Sequence, residues 1–327
     1  MKRGLIAWDR AELPPSAFDL RLEKVRGILA DTGRSALIVY SDIWRSNQAR
    51  YLSNFMPYWN RALLAIPLEG DPILFCALSP RTYPWIRSVT ILQDIRPGAN
   101  LVQQVREVCA QKGWNRIVAL DLERLPQDLH EAITASGIDV SDASWRAIHP
   151  GPDEYELSMY RRAARMAREI LEEELPSGVG MRDCEFAGRL ERRLRRAGIE
   201  DLMILLSHGQ APPLPAAGNL LKKEFSATLA LEYRGHWVKV TRSSTSAAAS
   251  TSLESLFDEA LRTAPCAHAA SPLHVEVLSG LYPYEPAGEG TIENGTLFAL
   301  QVETQWNGRR LFYGDTCLQT ESGAKRL

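Results

Sequence analysis

One break governs how this chain can fold. His149-Pro150-Gly151-Pro152 sets two prolines and a glycine within four residues. No helix runs through such a stretch, because proline lacks the N–H of the ladder and its ring clashes with the preceding turn. The break falls near the middle of 327 residues, and at roughly 100–200 residues per domain a chain of this length holds about two. We therefore read two domains, 1–150 and 151–327.

Before the break, strand-like and helical patterns alternate. Leu20 to Ala30 is amphipathic and stops at the Asp31-Thr32-Gly33 turn. Ala36–Tyr40, Ala62–Pro67 and Ile73–Leu78 are apolar runs of strand length, the last two joined by Glu69-Gly70-Asp71-Pro72, which suits a hairpin. Leu101–Gln111 reads as helix and Arg116–Leu120 as strand. Alternation of this kind argues an α/β layer. After the break, Asp153 to Glu174 predicts a long helix ended by Pro176-Ser177-Gly178, and Asp183 to Ala197 a second helix carrying five arginines, read as a solvated face. Strands are then expected at 202–206, 226–233, 236–241, 296–303 and 316–320, with a tight turn at Tyr233-Arg234-Gly235-His236 and a loose Ser/Ala/Thr stretch at 243–252.

Composition excludes several classes of protein. Lys and Arg number 38 against 40 Asp and Glu, a net charge of -2, which offers no basic face for nucleic acid. Hydrophobic residues at 45% and charged residues at 24% are ordinary for a globular chain. No apolar run approaches the ~18 residues of a membrane helix, and the opening MKRGLIAWDRAELPP lacks a signal-peptide core. Cys76, Cys109, Cys184, Cys266 and Cys317 are scattered and form no CxxC pair, so we expect free thiols in a reducing cytoplasm, with neither disulfides nor a zinc site. No phosphate-cradling glycine loop and no nucleophile elbow is present, and no cofactor is expected.

Four segments of the second half, in order, resemble the creatinase/aminopeptidase P/prolidase superfamily with its pita-bread fold. They are Pro152-Asp153-Glu154-Tyr155-Glu156-Leu157, the hairpin Leu229 to Arg242, the segment Glu293 to Phe298, and Gly314 to Gly323. In the first half, Arg50-Tyr51-Leu52-Ser53-Asn54-Phe55 is similar to a segment of the same superfamily's amino-terminal domain. The resemblance implies an α/β (α+β) chain: a creatinase-type amino-terminal α/β domain, then a shortened pita-bread domain whose curved antiparallel sheet is backed by helices. It also implies a homodimer.

In the peptidase branch the resemblance implies two metal ions held by two Asp, one His and two Glu. Carried over one by one, the first Asp falls on Thr228, the second on Lys239, the first Glu on Gln301 and the second on Gly314. A slip of one at Gly314 would offer Asp315, and of two at Gln301 would offer Glu303. The histidine falls on a segment that looks shortened by a helix, with His274 or His268 as its remnant. An ammonium at Lys239 opposes a dication, so no metal site is expected. The creatinase branch works without metal, but its histidine and two glutamates would fall near Ala216 and on Thr241 and Gln301, and none is present.

Strand alternation sets Trp237, Lys239 and Thr241 on one face, with Thr228 and Gln301 on neighbouring strands. A lysine there suits an anion clamp or a base, or else simply an ion pair with Glu232 or Glu303. His208 follows an apolar strand, where an acid/base or a surface histidine reads equally well; His236 reads as surface. His274 completes the catalytic candidates. Glu303, Asp315 and Trp237 join Thr228 and Gln301 as candidate substrate contacts. Arg45, Trp59 and Arg61 sit near the segment that, in creatinase-like dimers, reaches the partner's site. Two functions follow: a metal-independent enzyme acting on a small amino- or carboxylate-bearing molecule, or a non-catalytic relative binding a peptide or protein. Xaa-Pro peptidase activity stands third.

Overall fold

A computed structural model describes residues 7–57, 60–134, 137–263, 273–277, 285–286 and 292–327. The chain divides into two compact units, Met1–Pro150 and Gly151–Leu327.

The first unit runs α1 (Pro15–Asp31), β1 (Ala36–Ser41), α2 (Asn47–Ser53), β2 (Ala62–Pro67), β3 (Ile73–Cys76), α3 (Tyr83–Val89), β4 (Asp94–Pro97), α4 (Leu101–Lys112), β5 (Arg116–Leu120), α5 (Gln127–Thr134), β6 (Asp139–Ala143) and α6 (Trp145–Ile148). Its sheet has the order β4-β3-β2-β1-β5-β6, with β2–β3 the antiparallel hairpin that the Gly70-Asp71 turn implies. Both faces of β1 are buried: Leu37 and Val39 pack with α1 and α2, Ile38 and Tyr40 with α4 and α5. That explains why β1 reads as an unbroken apolar run rather than an alternating one.

The second unit opens with α7 (Glu154–Gly178). Asp153 caps it, accepting from Glu156 N while Glu156 returns a bond to Asp153 N, a complete capping box. The helix passes through Pro176 rather than ending there, because a proline in the last turn removes a single bond. Then follow α8 (Asp183–Arg196), β7 (Asp201–Ser207), β8 (Phe225–Tyr233), β9 (His236–Ser244), α9 (Ala247–Thr263), β10 (Leu273–Val277), β11 (Glu285–Pro286), β12 (Leu297–Trp306), β13 (Arg309–Thr320) and β14 (Gly323–Arg326). Helix α9 corrects two expectations. The Ser/Ala/Thr stretch is ordered, its first two serines ending β9 and its part from Ala247 opening α9, and the segment after Arg242 keeps a helix. Leu253 and Phe257, four apart, seat α9 on Phe298, Leu300, Val302, Leu311 and Tyr313 of the sheet. Ala and Thr on the other face were misread as loop composition.

The second sheet has the order β11-β10-β12-β13-β9-β8-β7, with β14 added to β13. Its curl has a direct signature. Arg310 N, at the start of β13, donates to Gly209 O, just past β7, at 2.8 Å, although β9 and β8 intervene.

Candidate active site on the inner face of the second sheet

Cross-strand partners point to the same face of a sheet. The register pairs Leu205 with Thr228, Thr228 with Thr241, Thr241 with Gly314, Gly314 with Gln301, and Gln301 with His274. These residues form one row across six strands, on the face away from α9. The next row holds Ala230, Lys239, Ala299 and Glu276. Lys239 Nζ meets Glu276 Oε2 at 2.5 Å. In a flat sheet β9 and β10 stand three strand spacings apart, roughly 14 Å, too far for the two side chains to meet. The sheet therefore curls toward this face, which is the concave one.

Along the row the hydroxyls of Thr228 and Thr241 lie 2.8 Å apart, and Thr241 Oγ1 donates to Gln301 Oε1 at 2.9 Å. Both threonines are buried. The Gln301 oxygen is thus engaged, and its NH2 takes no part in that bond. One rung further, Glu303 Oε2 takes Arg310 Nη2 at 2.5 Å and has His274 Nε2 at 3.6 Å. Burial raises the Glu303 carboxyl, and Arg310 with His274 outweighs that, so it titrates below the usual carboxylate range. The inner face is thus a neutral hydrogen-bonding row between two ion pairs, with an accessible histidine at its edge.

The four positions that the resemblance assigns to metal ligands do come together here, at Thr228, Lys239, Gln301 and Gly314, and they do not fit a divalent ion. Two are neutral, one is an ammonium, and the nearby carboxylates of Glu276 and Glu303 are each neutralised by a cation. Gly314 is closed to any side chain: a Cβ there would stand 2.9 Å from Leu300 O and 3.2 Å from the Gln301 Cβ. Among the described residues no group of three or more His, Cys, Asp or Glu is arranged to hold a metal.

The remaining expected residues lie elsewhere. Asp315 has the opposite parity to Gly314 and is buried beneath the sheet, bonded to Arg168 at 2.8 Å and Arg242 at 2.9 Å. His208 points to Asp183 Oδ2 at 3.1 Å, at the start of α8, rather than to Lys239. Trp237 keeps the inward parity of Lys239 and is buried, 7% exposed. Lys239 pairs with Glu276. His236, read as surface, is half-buried against Tyr160 and Glu156 Oε1, the latter at 3.5 Å. In the first unit Arg45 pairs with Asp42 and Arg61 with Asp128. Trp59 and His268 lie outside the described residues. Sequence reading missed Glu276 and Arg310, each on the face-inward parity of a strand, because neither β10 nor the start of β13 was recognised.

Residues 21–147 match the model of the creatinase/prolidase N-terminal domain. Across the whole chain, the fold is similar to that of an X-Pro aminopeptidase from Thermotoga maritima (TM-score 0.71, 15% identity, 93% of this chain and 96% of that one). It is also similar to an Xaa-Pro dipeptidase from Bacillus anthracis (0.69, 14%, 94% and 97%) and a prolidase from Pyrococcus horikoshii (0.67, 14%, 94% and 97%). A search of curated proteins finds no match. The first unit thus carries the creatinase/prolidase N-terminal domain, and the chain as a whole has the fold of these prolidases and aminopeptidases.

Proposed function

We propose that the inner face of the second sheet is a metal-independent reaction site for a small amino- or carboxylate-bearing molecule. One observation carries this reading: Lys239–Glu276, Gln301 and the His274–Glu303–Arg310 cluster converge on one concave face, where the resemblance locates chemistry. Lys239 and Arg310 offer charge to a carboxylate, Glu276 and Glu303 to an ammonium, and Gln301 a neutral donor. His274, backed by Glu303, is the group suited to moving a proton. Hydrolysis, elimination, cyclisation and isomerisation all need such a transfer. Metal-assisted peptide hydrolysis, suggested by the names of the similar structures, is disfavoured by the residues at the ligand positions. We place the protein in the cytoplasm as a homodimer. The four described cysteines are free, and no helix among the described residues is long and apolar enough to cross a membrane.

One observation favours the second reading, a non-catalytic binding module: every cation described on this face is already closed by a carboxylate of the chain. Chelator-treated protein incubated with amino acids, N-acyl amino acids and dipeptides separates the two. The enzyme reading expects a substrate to be consumed, by mass spectrometry, and that consumption to fall at least a hundredfold in His274→Gln. Turnover that appears only on adding Mn, Co or Zn would overturn it. Binding without turnover in any class would favour the second reading.

A further inference from the structure

The Lys239–Glu276 pair crosses two intervening strands, β13 and β12, to form. The partners are unequally embedded. The Lys239 side chain is 16% exposed and that of Glu276 34%, so the carboxylate is the partner that water or another anion reaches first. Beneath the contact the row carries Thr316, whose hydroxyl is bonded to the Lys239 backbone, and Ala299, with Gly314 in the next row. One rung away, Gln301 has its oxygen held by Thr241, and its NH2 takes no part in that bond. An ammonium and an amide therefore stand one row apart, roughly 7 Å along the strands, and on strands separated by β13 across one concave face, each reaching over β13 toward the other's side of the sheet. A single carboxylate lying between them meets both.

Resting on the reading of this face as the ligand site, we propose that Lys239 and Gln301 form the subsite for the carboxylate end of the ligand. Glu276 is that subsite's resident occupant, an internal carboxylate that the ligand displaces. The exchange balances in charge: one carboxylate leaves the ammonium for water and another takes its place. The cost falls on ligand affinity, because only the fraction of molecules with Glu276 turned away is competent to bind. An uncharged amide makes no charge-assisted bond to Lys239, so it does not displace Glu276 and its binding does not depend on this subsite.

The test uses the full chain and two probes, N-acetylglycine and its uncharged counterpart N-acetylglycinamide, titrated calorimetrically at low salt. Glu276→Gln should bind N-acetylglycine at least tenfold more tightly than the parent while N-acetylglycinamide is unaffected. Lys239→Met should lose the N-acetylglycine binding in either background. Crystals of the parent soaked in N-acetylglycine supply a second measurement that does not depend on the variant folding. They should show its carboxylate on Lys239 Nζ and the Glu276 side chain rotated away. If Glu276→Gln binds N-acetylglycine no better than the parent while Lys239→Met binds worse, Glu276 is not a competitor; the proposal falls and the ligand site stands. If N-acetylglycine binds neither parent nor Glu276→Gln, in solution or in the crystal, the subsite and the function proposed for this face fall together.

Discussion

Asp183 shows what a single buried carboxylate does in this chain. It is 1% exposed and accepts from Gly218 N at 2.7 Å, Ala217 N at 3.2 Å and His208 Nε2 at 3.1 Å. Burial pushes its carboxyl up, but the backbone donors at 217–219 and His208 outweigh burial and hold it below the usual range. A carboxyl lowered by folding contributes stability above its unfolded pKa of about 3.9 and loses it as pH falls toward the folded value. Asp183→Asn should therefore cost about 1–3 kcal/mol near neutrality. The gap between parent and variant should close as pH drops below about 4, measured by urea titration across pH. A gap independent of pH would show that the charge of Asp183 is not what the loop uses. His208 consequently serves the 208–218 loop, a role its neighbours in sequence do not reveal.

At the scale of elements, the junction of β9 with β13 is the most specialised part of the second sheet. Gly314–Thr241 is its described backbone pairing, and side chains fill in around it. Thr316 Oγ1 accepts from Lys239 N at 2.7 Å, Ser243 Oγ donates to Phe312 O at 2.8 Å, and Arg242 Nη1 donates to both Thr241 O and Gly314 O at 2.8 Å. Beneath the junction Arg242 and Arg168 close on Asp315, tying α7 to both strands. Removing one member of a buried ion group strands the others, so Asp315→Ala should destabilise by roughly 3–5 kcal/mol, read from chemical denaturation. Gly314→Ala forces a Cβ into the Leu300 carbonyl and should cost about 1–3 kcal/mol by overpacking. A neutral Gly314→Ala would mean that β12 and β13 separate freely, and with it would go the argument that no ligand can be restored there.

At the scale of the whole molecule, the charge arithmetic of the inner face bears on metals. Among the described residues, Lys239 and Arg310 are matched by Glu276 and Glu303, so neither carboxylate is left over for a dication. Elemental analysis of the purified chain should find Mn, Co and Zn well below one ion per chain, and chelators should leave its melting temperature unchanged. Stoichiometric metal that resists dialysis would contradict this. Light scattering at micromolar concentration should give twice the 36.5 kDa chain mass. A monomer would remove the role proposed for Arg45 and Arg61.

The sequence by itself determined what depends on local chemistry. The Pro-Gly-Pro break marks the passage into α7, whose start is set by Asp153 and Glu156, three residues apart. The ungapped hairpin from Thr228 to Arg242 set Lys239 on the inner parity, since side-chain direction along a strand alternates residue by residue. What the sequence could not decide was partnership across strands. Glu276 is 37 residues from Lys239 and three strands away; only the curl of the sheet brings them together. Asp315 stands beside Gly314 in sequence, yet a one-residue change of parity buries it beneath Arg242 on the opposite face. His208, His236 and His274 look alike as letters, and their three different carboxylate neighbours, Asp183, Glu156 and Glu303, give them three different surroundings. Pairings of this kind are set by register and curvature, which belong to the folded sheet and to no segment of the chain alone.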